Sequence, residues 1–235
     1  QKRVEAFKNP KVRQAIVYAI NNEGIAEKLM KGRATAGAQN SPKGYAGYNA
    51  DLTPRYDLKK AKKLMKDAGY EKGFEVSMIA PNNRYVNDEK IAEAAASMLG
   101  KIGIKVNLKT MPKAQYWDQF DLQVADIQMI GWHSDTEDTG NFFEFLLMCP
   151  NKETGYGQYN SGNYCNQEVD SLALKVQAET DEVKRTAMLQ KMEKIAYDEA
   201  AFVPLHWQDL SWAGKNTLGI EAIVNVMNFP YFGDL

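Results

Sequence analysis

The sequence is poor in the residues that most often carry chemistry. Among 235 residues there are two cysteines, Cys149 and Cys165, and two histidines, His133 and His206. Neither histidine belongs to an HExxH-like or EF-hand spacing, so no resident metal ion is expected. No serine sits in a GxSxG elbow, and the glycines of Gly155-Tyr-Gly157 neither follow a strand nor open a helix, which leaves no phosphate cradle. No apolar run approaches the roughly 20 residues that a membrane-spanning helix requires. Charge of one sign is also missing: the formal net charge is −1, with Lys and Arg spread along the chain. A nucleic-acid surface needs a concentrated basic face, so no nucleic-acid partner is expected. The opening Gln1-Lys-Arg-Val-Glu5 lacks the pattern of a secretion signal, and the chain is therefore expected to be cytosolic, a mature product or a fragment.

What is present describes an ordinary globular chain, 44% hydrophobic and 25% charged, long enough to bury a core without staples. Asn9 and Pro10 open a helix that runs to Ile20, and a second helix, Glu23 to Lys31, stops at Gly32. Residues 34–55 read as loop, with Gly, Pro, Asn and two tyrosines, Tyr45 and Tyr48. Asp57 caps a further helix that Gly69 closes. A β/α alternation follows. Phe74 to Ala80 is a strand, Asn87-Asp88 caps a helix from Glu89 to Lys101, and Ile104 to Leu108 is a strand. Pro112 to Leu122 is a helix, and Asp126 to Gly131 a strand. Two amphipathic helices cover Glu168 to Thr180 and Asp181 to Ala200. Phe202 to Trp207 is a strand that Pro204 places at an edge. Strands separated by helices of this length predict an α/β fold with a largely parallel sheet.

In such sheets ligands sit beyond the carboxyl ends of the strands. Two strand ends stand out, Pro81-Asn-Asn-Arg84-Tyr85 and Gly131-Trp132-His133-Ser-Asp135. If their strands are neighbours, a guanidinium and a carboxylate face one crevice. Arg84 can grip a carboxylate bidentately, Asp135 can pair an ammonium, and Trp132 can cover an apolar side chain or a cation. A second reading stands beside this one, with Arg84 and Asp135 solvated and Trp132 in the core. Asp135 with a partner acid would suit hydrolysis, but thirty acidic residues supply such pairs in any arrangement. The spacing of Cys149 and Cys165 fits free thiols as well as a disulfide, whose loop closure would contribute about 3 kcal/mol.

The chain resembles the C-terminal lobe of the family 5 extracellular solute-binding proteins. The residues that carry the likeness are Asn9 to Asn21, Tyr56 to Tyr70, Asn83 to Asp88, Ile102 to Val106, Gly131-Trp132 with its acidic loop, Val169-Asp170, Lys184-Arg185 and Ala201 to Trp207. The resemblance implies an α/β lobe of the periplasmic-binding-protein type II kind, a mainly parallel sheet flanked by helices. It implies a monomeric, non-enzymatic, periplasmic or lipid-anchored receptor that captures di- or oligopeptides for the membrane permease of an ABC importer, with no cofactor. Asp135 would pair the ligand's α-amino group, Arg84 would take its carboxylate, and Trp132, Tyr85 and backbone around His133 would line the site. The likeness is greatest to the dipeptide-binding branch, whose paired cysteines imply a Cys149–Cys165 disulfide. Family members are about twice this length, so residues 1–215 are expected to be one lobe and 216–235 a tail returning to another. Where the branch has Asp-Pro this chain has Asp138-Thr139, and a looser turn is expected, with Glu137 and Asp138 as solvated neighbours. Within the same fold, a metal chelate, haem, glutathione or a sugar is the alternative cargo, and a carboxylate-dependent hydrolase is the remote one.

Overall fold

Polar side chains cap several of the helices. The computed structural model describes residues 4–215, 217, 219, 223–225 and 229–234. Helix α1 (Pro10–Ala19) begins where the Asn9 side chain accepts the Lys11 N–H, with Pro at the first helical position. After it, α2 (Asn22–Gly24) widens into a π turn over Ile25–Leu29. Ala34–Ala36 then forms a short strand, β1, inside the segment expected to be loop. Asp57 caps α3 (Leu58–Asp67) by accepting the Lys60 N–H. Next come β2 (Phe74–Pro81), α4 (Asp88–Gly100), β3 (Ile104–Met111) and α5 (Lys113–Asp121). The strand expected from Asp126 to Gly131 shrinks to β4, Ile127–Gln128. A single turn, α6 (Thr139–Phe142), runs into a second π turn over Phe143–Leu147. Two long helices, α7 (Gln167–Ala178) and α8 (Glu182–Glu199), precede β5 (His206–Gln208).

Strands β3, β2 and β4 make a parallel sheet in that order, with β2 at its centre. Full register runs from Phe74 opposite Ile104 to Pro81 opposite Met111, whereas β4 meets β2 only at Met78–Ile127 and Ile79–Gln128. The central strand is buried over its last four residues, as a strand covered on both faces must be. β1 and β5 form a separate antiparallel pair, Ala34 opposite Gln208 and Ala36 opposite His206. The strand expected over Phe202–Trp207 is thus only His206–Gln208, and Pro204 precedes it rather than lying within it. Buried Asn22 fixes the approach to β5 by donating from Nδ2 to the carbonyls of Pro204 (2.6 Å) and Leu205 (2.8 Å).

Two larger cores result. One gathers α1, α3 and α4 over the β2–β3 end of the sheet, around Val12, Ala61, Ile91 and Ile104. The other joins α7, α8 and the second π turn around Phe143, Val169, Leu189 and Met192. Cys149 and Cys165 are disulfide-bonded, as the resemblance implied. The loop they close is also held by Asn160, whose Nδ2 donates to Met148 O (2.9 Å) and Tyr164 O (2.8 Å). Reducing the bond, or replacing both cysteines with serine, should lower the unfolding free energy by about 3 kcal/mol in urea titration. An unchanged midpoint would mean that the Asn160 bonds already hold the loop.

One local expectation needs correction. Asn87 does not cap α4: it adopts a left-handed conformation (φ 57°) and its side chain donates to Leu29 O instead. Nine of the twenty residues of the 216–235 tail lie outside the described residues, which there show a bridge between Val224 and Pro230 and a 3-10 turn at Phe232–Asp234.

Candidate ligand-binding site

Strands β2 and β4 are neighbours and parallel, so the two loops that leave their carboxyl ends emerge side by side. The first loop is tied down by Asp88, which is 3% exposed. Its Oδ2 accepts the backbone N–H groups of Arg84 (2.8 Å) and Tyr85 (3.0 Å), and Oδ1 accepts that of Glu89 (2.9 Å). The exposed Arg84 guanidinium lies 4.9 Å from the centroid of the Tyr85 ring, a distance suited to cation–π attraction. Tyr85 reaches the second loop: the Gly131 N–H donates to its hydroxyl at 2.9 Å. The ring lies so close that a Cβ on Gly131 would stand 2.7 Å from Tyr85 Cε1, so a larger residue there would displace the ring. Burial foremost raises the Tyr85 phenol pKa.

Trp132 is half-buried rather than part of the core. Its Nε1–H donates to Asn141 Oδ1 at 2.8 Å, and its ring packs 5.4 Å from Phe145 and 5.2 Å from Tyr159. Phe145 belongs to the second π turn and Tyr159 to the disulfide loop, so three elements build one aromatic wall. Sequence reasoning found only Trp132, because the other two rings arrive by tertiary contact. Asp135 follows with its side chain 63% exposed, and His133 Nε2 lies 3.8 Å from its Oδ1, too far for a hydrogen bond. His206 lies in β5, paired with Ala36 rather than placed among the strand-end loops, and burial lowers its pKa.

Asp138 is not the solvated neighbour that was expected. Its side chain is 13% exposed, pairs with Arg185 on α8 at 2.5 Å, and caps α6 by accepting the Gly140 N–H at 2.7 Å. Nor is the Asp138-Thr139 turn loose. Buried Ser134 accepts the Asp138 N–H (3.2 Å) and donates to Asp138 O (3.0 Å). The segment around Ala46 clamps the loop from the other side: Ala46 N–H donates to Glu137 O and Thr139 N–H to Ala46 O, each at 3.0 Å. Glu137 is exposed at φ 50°. Burial first, then the carboxylates of Glu137 and Asp135, raise the Tyr45 phenol pKa, so Tyr45 stands within electrostatic reach of both acids.

Among the described residues, the one three-ligand group with metal-like spacing is Cys149, Cys165 and Asp170. Its thiols are bonded to each other, and Asp170 Oδ1 accepts the Cys149 N–H at 3.1 Å. A surface hollow of about 670 Å³ lies beside the disulfide, lined by Tyr156, Asp170 and Leu174 among others, and it includes none of the strand-end residues. The strand-end loops thus present an open face with a cation, an anion and an aromatic wall, and no nucleophile–base pair.

That architecture is the periplasmic-binding-protein type II lobe. An ABC transporter-associated periplasmic binding protein, DppA from Helicobacter pylori, solved in complex with peptide STSA, matches with a TM-score of 0.80 and 30% identity, over 88% of this chain and 40% of that one. The chain belongs to the bacterial extracellular solute-binding proteins, family 5, whose "Middle" model matches residues 1–154. It is 30% identical over 194 residues to the dipeptide-binding protein of Escherichia coli K12, covering 81% of this chain and 36% of that protein. It is also 30% identical over 203 residues to heme-binding protein A of Haemophilus influenzae, covering 85% of this chain and 36% of that protein. The chain therefore spans about a third of the length of these curated relatives. They are binding proteins, and the family is one of solute binding rather than catalysis.

Proposed function

We propose that this chain is one lobe of a two-lobed receptor that captures short peptides by their charged ends for an ABC importer. The observation that carries this reading is the pairing of loops: Arg84 and Asp135 leave neighbouring parallel strands, and Tyr85 joins the two loops beside an aromatic wall. Asp135 takes the α-ammonium, Arg84 the carboxylate, Trp132 covers the first side chain, and backbone near His133 lines the floor. Such a clamp accepts many side chains, because each desolvated charge is costly to leave unpaired while the side chains between them are free to vary. The receptor works as a monomer outside the cytoplasm and hands its cargo to membrane permease subunits. Closure of a second lobe completes the site.

Titration calorimetry of the full-length receptor tests the clamp. Free dipeptides should bind at least about 100-fold more tightly than N-acetylated or C-amidated ones, since each block strands one buried charge. Equal affinities would overturn the reading. A second cargo class has one observation in its favour, the equal identity to a heme-binding relative. Native mass spectrometry of the receptor as purified distinguishes them by the mass of the retained ligand.

A further inference from the structure

Beyond the last ladder contact of β4, the two candidate loops are joined through one side chain. The ladder ends where Met129 N–H donates to Ile79 O at 3.2 Å. Past that point Tyr85 spans the gap, with its hydroxyl on the Gly131 N–H (2.9 Å) and 3.4 Å from the Gly131 carbonyl oxygen. Its ring lies close against Gly131, and the Arg84 guanidinium lies 4.9 Å from the ring centroid. The backbone of Arg84 and Tyr85 is held separately by Asp88, so this loop keeps its place whatever the hydroxyl does. Past Gly131, Trp132 is held through its side chain, by the Asn141 bond and the packing on Phe145 and Tyr159, and the next backbone anchor is Ser134, whose carbonyl accepts the Glu137 N–H at 3.2 Å.

We propose that Tyr85 is a positioning residue rather than a ligand contact: its hydroxyl fixes the Gly131 backbone and so, together with the Trp132–Asn141 bond, sets the place of Asp135 relative to Arg84. This inference rests on the terminal-clamp reading above. A hydroxyl already accepting a backbone N–H and lying beside that residue's carbonyl has little capacity left for a ligand carboxylate. The ring, by contrast, stays in place beneath Arg84 when the hydroxyl is removed. Tyr85→Phe therefore separates two roles that Tyr85→Ala would merge. Loss of the hydroxyl should loosen the amine socket and leave the carboxylate grip as it was.

The test is calorimetry on the full-length receptor, wild type and Tyr85→Phe, with a free dipeptide and its N-acetylated and C-amidated forms. The free dipeptide should bind about tenfold more weakly to the variant, the scale of one lost hydrogen bond. The same loss should persist with the C-amidated ligand and vanish with the N-acetylated one. A loss that vanishes on amidation instead would mean that the hydroxyl touches the ligand carboxylate, and it would overturn the proposal. So would an equal loss with all three ligands. If wild type itself ignores both blocks, the clamp reading has failed, and this inference falls with it, by a result that Tyr85→Phe does not influence. Amide hydrogen exchange in the ligand-free receptor gives an independent reading: Gly131 should exchange about tenfold faster in the variant. Unchanged exchange at Gly131 would also overturn the proposal.

Discussion

In the full-length receptor, Asp135→Asn should weaken binding of a dipeptide with a free amino group by about 100-fold, and leave its N-acetylated form within about twofold of wild type. The size of this effect depends on water. In the lobe alone the Asp135 side chain is 63% exposed, with His133 Nε2 3.8 Å from its Oδ1. An ion pair formed there would contribute about 0–1 kcal/mol, a factor of five at most. Closure of a second lobe changes the medium: the same pair, stripped of water, contributes several kcal/mol, and asparagine leaves the ammonium buried without its counter-charge. The same substitution in the isolated chain should therefore have almost no effect on ligand binding, which should itself be weak. Calorimetry on both forms checks the contrast. A full-length Asp135→Asn receptor with unchanged affinity for free dipeptides would remove Asp135 from the site.

What could be read from the sequence followed the range of the interaction responsible. The helices opened by Asn9-Pro10, Asp57 and Asp181 stand where expected, because cap and apolar period are both local. The parallel order of β2 and β3 followed from the helix between them. β1 escaped notice because three residues of Ala-Thr-Ala carry no period, and only pairing with β5, some 170 residues later, makes them a strand. Asn87-Asp88 looked like a cap, yet Asn87 turned left-handed once its side chain found Leu29 O. The candidate site divides the same way. Arg84, Trp132 and Asp135 were visible as chemistry at strand ends, whereas their supports were not: Phe145, Tyr159 and Arg185 reach the loop from other elements. Asp138 shows the limit most clearly. Its neighbours in sequence suggested a solvated acid, and only the fold brings Arg185 to within 2.5 Å.

The support with the largest energetic consequence is Glu193, fully buried in the middle of α8. Its Oε2 accepts the Asn40 N–H (3.2 Å) and Asn40 Nδ2–H (3.0 Å), and Oε1 accepts the Ser41 N–H (3.1 Å). Ser41 in turn bonds through its hydroxyl to Thr139, at the end of the acidic loop, so the carboxylate pins that loop to the second core. Glu193→Ala removes the acceptor from three buried N–H groups and leaves a cavity, and should cost about 3–5 kcal/mol of unfolding free energy in urea titration. A more specific signature lies in pH. Burial outweighs the three donors and pushes the Glu193 carboxyl up to about 7, from an ordinary value of about 4.3. Between those values the folded chain holds a proton that the unfolded chain has released. The contribution of this group to stability is therefore whole below about pH 4 and is lost as pH rises to about 7, a fall of about 3–4 kcal/mol. Glu193→Gln cannot titrate, so its stability should lack this fall, and the difference between wild type and variant should shrink as pH rises. A difference that stays constant from pH 4 to pH 8, or grows, would show that the three N–H donors keep Glu193 ionised throughout.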